Sequence, residues 1–473
     1  MAYTYSTIVL SAALASLMTA CGGAGSSDTG TGNEPDNPDM GNNSATATTT
    51  ADNAAPDDQS ELQRELTWLY DKMKTEYLFY QDTPDLDPYQ FASAEALLKK
   101  MKVSDKDRFS YIQTAEEANN QQNAVSTTFG IHTYSNKGVI KVTRVYSGSS
   151  AAEAGIERAD TIVRIGDVLV TDEETRDQAI DILRDAEDGD SVELELVREG
   201  VPEPFSATLT RREVSRQTVD YAGYNERPDG NRIGYLFLSE FRQKTRVELE
   251  GIFDFFQQNN VTSLIIDLRS NSGGRLNIIA QLGSLIIGEQ SAGLPFIRFQ
   301  YSDLGDAIFR NGDFTTGYDL TIEENAAPMQ RVHIIASGAT CSASEVLVNS
   351  LRAYIDVQIS GSTTCGKPYG FYGRRFEEKS VLWAINFTSA NANGEDEFVD
   401  GLNATCEIPD YEVYPYLDTR DPHLASAINY LETGSCQLPQ ANAKSSMDSR
   451  PPANKFQPVW QPEHLDIEHF SSE

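Results

Sequence analysis

Positive charge is scarce in this sequence: 38 Lys and Arg stand against 71 Asp and Glu, a formal net charge of −33 in 473 residues. A surface of that sign repels phosphate backbones, which excludes nucleic acid as a partner. After the first twenty residues no run approaches the roughly 20 apolar residues that a membrane-spanning helix needs, so membrane contact has to come from the N-terminus. Histidine is equally sparse, with five residues at 132, 333, 423, 464 and 469 and no pair at metal-ligand spacing. The five cysteines form no C-x-x-C pair, and neither a metal nor any other cofactor is expected. No Gly-x-Gly-x-x-Gly follows a strand and no Walker-type loop is present, which leaves nucleotide chemistry without support. A Gly-x-Ser-x-Gly elbow is missing too, which disfavours the α/β-hydrolase arrangement. His333 lies inside the apolar stretch 332–336 and reads as a core residue rather than a base.

What the chain does contain begins with an apolar run at residues 8–18 followed by Thr19, Ala20 and Cys21. Small residues before a single cysteine resemble a bacterial lipobox, which implies removal of residues 1–20 and acylation of the Cys21 thiol. The departure is the leading MAYTYST, which lacks the Lys or Arg of an ordinary secretory signal, and plain secretion or an uncleaved anchor are the other readings. Residues 21–60 are Gly, Ser, Thr, Asn, Asp, Pro and Ala with no Lys or Arg, a composition that cannot bury enough apolar surface to offset its ordering entropy. They read as a tether holding a folded body clear of a bilayer, and the expected location is the bacterial cell envelope, on its periplasmic or surface side. Residues 439–473 form a polar tail, in which 460–470 read either as tail or as a docking peptide.

With 39% hydrophobic residues the remainder can build packed cores, and three regions differ in period. Ser60 and Gln63 have capping-box spacing, and Leu62, Leu66, Leu69, Met73 and Tyr77 recur at helical intervals, which predicts a helix over 61–80. A second helix is predicted over 88–101, and residues 61–125 read as a structural N-terminal helical cap. Residues 126–213 switch to short strands at 138–146, 160–165, 191–198 and 205–211 with one helix at 174–186. A strand, the small-residue turn 147–156 and then DTIVRIGD resemble a PDZ domain; an unrelated small β domain is the alternative. The resemblance implies that N–H groups around Phe129, Gly130 and Ile131 capture a terminal carboxylate while the peptide adds to a sheet edge. Residues 214–438 alternate strands (233–238, 263–267, 331–336, 381–387) with helices such as 278–287 and 343–354, which argues for α/β layering. The fold class is therefore α/β, an α+β multidomain chain.

Three segments of this last region could carry chemistry. A strand and small-residue turn lead into a helix beginning at or just after Ser342, where unpaired N–H groups favour negative charge beside the hydroxyl; alone, such a serine is far more often an N-cap than a nucleophile. Lys367, in TTCGKPYG, sits among small and apolar neighbours, and burial favours a neutral amine able to act as a general base. LIIDLRSNSGG, residues 264–274, ends in a double glycine whose N–H a ligand can approach unhindered. TCSASE followed by GK at a separation of 25 (367 minus 342), behind a PDZ-like region, resembles the carboxyl-terminal processing, or tail-specific, serine peptidases. That resemblance implies a crotonase-like α/β core, Ser342 as nucleophile, Lys367 as base, and the Gly274 and Ala343 N–H groups as oxyanion hole. It also implies no cofactor and substrates that are proteins or peptides cut near their C-termini. Many members carry a Gln four residues after the lysine, orienting it; here that position is Phe371, and Tyr369 or Glu345 are candidates for the task.

The rivals are a catalytically silent PDZ lipoprotein that binds protein tails and an amide or ester hydrolase of small molecules. Setting Cys21 aside leaves four cysteines, which allow two disulfides in three connectivities or four free thiols. Taken with the dyad of the resemblance, which draws together the backbone around Ser342 and Lys367, the expected pairs are Cys341–Cys365 and, by elimination, Cys406–Cys436.

Overall fold

The computed structural model describes residues 58–227, 229–289, 292–311, 320–321, 328–409, 413–436 and 457–458. The candidate signal, Cys21, nearly all of the tether and the tail apart from 457–458 lie outside them. Among the described residues no helix is long and apolar enough to cross a membrane.

Five parallel strands form the centre, in the spatial order Arg232–Leu238, Ser263–Asp267, Arg331–Ala336, Val357–Gly361 and Cys406–Glu407, with Val219–Glu226 added antiparallel beside Arg232–Leu238 and Gln457–Pro458 beyond it at that edge. Their near-continuous apolar runs are those of strands covered on both faces. Alternate residues confirm it: Leu236, Leu264, Ile266, Val332 and Ile334 pack under the helices Thr245–Gln258, Leu276–Ile287 and Ala343–Arg352. Tyr235, Phe237, Ile265 and Ile335 face the helix Pro422–Thr433 on the other side.

The predicted strand 381–387 is two strands. Ser380–Trp383 pairs with Tyr111–Thr114 from the N-terminal region, whereas Ile385–Ala390 pairs with Pro295–Tyr301 and Tyr369–Phe371 in a separate sheet. An apolar run carries no sign of where its pairing partners change, and the break at Ala384 is set from outside. The first helix spans Asp58–Thr75, so Ser60 lies within it and the predicted start at 61 is three residues late. The predicted helix 88–101 is a 3-10 turn, Pro88–Gln90, then Ala94–Met101, restarted by the Ser93 side chain accepting from the Ala96 N–H.

The PDZ region enters and leaves through one ribbon, Val125–Thr128 against Arg212–Ser215. Between them lies a sheet in the order Ile131–Asn136, Val139–Val145, Thr161–Ile165, Ser191–Val197, Phe205–Thr210, with the helix Glu173–Asp185 packed on it. Ile131–Asn136 is an edge strand.

Candidate active site

Parallel strands deliver their following loops to one carboxyl edge, where ligand sites of such sheets form. The loops after Ser263–Asp267 and Arg331–Ala336 meet there. Leu268 N–H donates to the Ile335 carbonyl, Thr340 Oγ1 donates to the Leu268 carbonyl at 2.8 Å, and Cys341 N–H donates to the Asn271 carbonyl at 3.0 Å. Ser342 follows at φ 55° and ψ −119°, a conformation serine rarely adopts and one that costs on the order of 1–3 kcal/mol. It opens the helix Ala343–Arg352: its carbonyl accepts from the Glu345 and Val346 N–H groups, and its own N–H donates to Glu345 Oε2 at 2.9 Å.

Asn271 is the joint of the opposing loop. Fully buried, it donates its amide to the Leu238 carbonyl, accepts the Gly273 N–H on Oδ1 at 2.9 Å, and receives Ser344 Oγ on its carbonyl at 3.1 Å. Gly273 has φ 108°, and a Cβ there would lie 2.9 Å from Ala343 N, Cys341 O and Ser342 Cβ. At Gly274, φ 147°, a Cβ would fall 2.0 Å from the Phe241 carbonyl oxygen. Both positions therefore exclude a side chain. The Gly273 N–H is consumed by Asn271, while the Gly274 and Ala343 N–H groups have no hydrogen-bond partner among the described residues. Sequence reasoning chose Gly274 and passed over Asn271 and Gly273, although the SNSGG run contained both.

The lysine turn is bound to the serine turn three ways. Cys341 and Cys365 form a disulfide with Cα atoms 5.2 Å apart, and Cys365 N–H donates to the Thr340 carbonyl at 3.0 Å. The third tie is Glu345. Fully buried, its carboxylate accepts from the N–H groups of Ser342, Gly366 (2.8 Å) and Lys367 (2.9 Å) and from Thr364 Oγ1 (2.5 Å). It fixes the backbone of Lys367, not its amine. Cys406 pairs with Cys436, Cα atoms 5.3 Å apart, and ties the end of the helix Pro422–Thr433 to the sheet edge. Among the described residues the only His, Cys, Asp and Glu cluster with metal-ligand proximity is Cys341, Glu345 and Cys365, and both of its sulfurs are held in the disulfide.

Lys367 and Ser342 line one cleft of about 820 Å3 together with Gly273 and Gly274. Burial pushes the lysine pKa down to about 8, opposed by the carboxylates of Asp107 and Glu345. No hydrogen bond joins the amine to Ser342 Oγ; Nζ instead lies 4.0 Å from the Phe371 ring centroid and 5.2 Å from that of Phe109. Tyr369 packs on Phe79 and Phe109.

Phe109 corrects the reading of the N-terminal region as purely structural. Buried Asp107 accepts from Tyr77 OH and from the Phe109 and Ser110 N–H groups, each at 2.8 Å, and so sets the DRFS turn. Arg108 donates to the Cys365 carbonyl at 2.7 Å, and Tyr111, stacked on Trp383 at 6.2 Å, lines the cleft. His333 is a core residue: it is fully buried, its Nε2 lies 2.8 Å from Ser360 Oγ, and burial pushes its pKa down to about 4.

In the PDZ region Phe129 is buried and its carbonyl accepts from Ser150 Oγ at 3.0 Å. The Gly130 N–H donates to Thr128 Oγ1 at 3.2 Å. Ile131 begins the edge strand, one side of which is open to an added strand.

Residues 232–408 match Peptidase family S41, residues 64–111 the Peptidase S41 N-terminal domain, and residues 141–198 a PDZ domain. The chain is 25% identical over 358 residues to the carboxy-terminal processing protease CtpA of Bacillus subtilis (strain 168), covering 75% of this chain and 71% of that protein. It is 22% identical over 368 residues to a probable CtpA-like serine protease of Staphylococcus haemolyticus (strain JCSC1435), covering 77% and 68%. Among solved structures, a putative S41 protease from Bacteroides fragilis NCTC 9343 shares the fold with a TM-score of 0.65 at 22% identity, over 78% of this chain and 97% of that one.

Proposed function

We propose, from the matches of residues 232–408 to Peptidase family S41, of 64–111 to its N-terminal domain and of 141–198 to a PDZ domain, an exported, lipid-anchored serine endopeptidase that cuts proteins or peptides near their C-termini with a Ser342–Lys367 dyad. The observation that carries this reading is an amine held near pKa 8 in the same cleft as a serine at a helix N-terminus. Ser342 Oγ attacks the scissile carbonyl as neutral Lys367 takes its proton, and the Gly274 and Ala343 N–H groups receive the oxyanion. Protonated Lys367 then hands its proton to the leaving amine, and water, deprotonated by the same lysine, releases the acyl group. A substrate tail that adds to the Ile131–Asn136 edge, its carboxylate at the Gly130 turn, brings the chain end to the enzyme.

The test is the pH dependence of labelling. A fluorophosphonate should modify Ser342 at a rate that climbs along an alkaline limb centred near pH 8, as Lys367 loses its proton, and the same preparation should digest an unfolded protein. Labelling that peaks in acid and declines above neutrality overturns the dyad.

Attachment rests on Thr19, Ala20 and Cys21 behind the apolar run 8–18. Cys21→Ser is expected to release the protein from membranes and abolish incorporation of a radioactive fatty acid. Persistent membrane association of that variant would point to an uncleaved anchor.

A further inference from the structure

We propose that Phe371 and Phe109 form an aromatic cage that positions the amine of Lys367. The proposal rests on Lys367 being the general base. Lys367 is half-buried at the wall of the cleft, and its Nζ has neither a hydrogen bond nor an ion pair among the described residues. It sits 4.0 Å from one ring centroid and 5.2 Å from another. An aromatic face carries negative quadrupolar charge and attracts an ammonium within about 6 Å.

Both rings are themselves fixed. Phe371 ends the strand Tyr369–Phe371, is in register with Ile385, and stands edge-on to Tyr111 at 6.2 Å. Phe109 is held through its N–H by Asp107, and its ring packs against Tyr369 at 6.1 Å. The charged and titratable groups around the amine are Asp107 and Glu345, which favour its protonated form, Arg108, which is tied to the Cys365 carbonyl, and the Tyr369, Tyr111 and Ser342 hydroxyls. Glu345 has its carboxylate engaged by the backbone N–H groups of Ser342, Gly366 and Lys367 and does not reach the amine. The attraction of the rings is felt by the ammonium and fades for the neutral amine. The cage thus holds the lysine while it carries the proton and lets the neutral amine turn to Ser342.

The experiment compares kcat and KM along the alkaline limb for Phe371→Leu, Phe371→Tyr and Phe371→Gln, with a thermal melt of each. Phe371→Leu keeps the surroundings apolar but removes the quadrupole. It should lower kcat about tenfold with KM nearly unchanged and move the limb to lower pH. Phe371→Tyr restores a ring face and Phe371→Gln an amide, and both should return kcat to within about threefold of the parent. A leucine variant with parental kcat and limb overturns the cage, as does equal impairment of all three variants or a loss that only follows the melting temperature. Lys367→Ala separates this from the dyad: activity in that variant sinks the dyad itself, whereas an inactive Lys367→Ala beside an unaffected Phe371→Leu sinks the cage alone.

Discussion

Ser342→Ala and Lys367→Ala should each lower kcat by about a thousandfold or more while leaving the unfolding midpoint almost unchanged. A nucleophile and its base act as one unit, so removing either leaves only substrate binding and oxyanion stabilisation, and removing both costs little more than removing one. Neither change opens the core. Ser342 and Lys367 are half-buried at the wall of a solvent-filled cleft, and the disulfide between Cys341 and Cys365 keeps the two turns together in either variant. Single-turnover kinetics with an activated ester would show the loss in acylation. A Lys367→Ala enzyme within tenfold of the parent would exclude the lysine as base. His333 could not replace it, since it is packed against Ser360 in the core and does not line the cleft.

Glu345→Ala is expected to be the most damaging substitution that touches no reacting atom. Its carboxylate is the common acceptor of three backbone N–H groups and one hydroxyl, all gathered where solvent does not reach. A buried donor without a partner costs about 1–3 kcal/mol, and hydrogen bonds to a charged acceptor lie at the strong end of that range. Water entering the vacated space and a turned Thr364 hydroxyl recover part of the loss, so a destabilisation of about 3–5 kcal/mol is expected. What unfolds last still suffers, because Ser342 N–H and Lys367 N–H lean on the same oxygen, Oε2. In the folded fraction kcat should therefore drop about a hundredfold. Urea unfolding read beside kcat separates the two effects, and a Glu345→Ala protein with the parental midpoint and turnover would show that the two turns hold their geometry without it.

How much of this was legible beforehand followed from range. Ser263–Asp267 and Arg331–Ala336 were readable to the residue because strands covered on both faces are unbroken apolar runs with polar ends. Ser342 and Lys367 were singled out through the resemblance carried by TCSASE and GK, because a serine after a small-residue turn reads by itself as an N-cap. The surroundings of the lysine were not. Phe109 stands far from residue 367 in sequence and is an ordinary apolar residue there; only the folded chain sets its ring on the amine. Glu345 had been considered as the group that orients Lys367, and local spacing could not show that its carboxylate is used up by backbone N–H groups. Asn271 carried no signal beyond its place in a polar turn, since its work is done on carbonyls and amides of three separate segments.

The pairing of Tyr111–Thr114 with Ser380–Trp383 has a consequence in time. Tyr111 meets Trp383 across 272 positions of chain (383 minus 111), so the N-terminal region must wait for residues 380–383 before its strand has a mate. Contacts of such separation close late, after local helices and hairpins have formed. The PDZ sheet, whose pairings all lie between residues 131 and 210, can be complete long before. A growing chain therefore completes its PDZ sheet first and the Tyr111 wall of its cleft later.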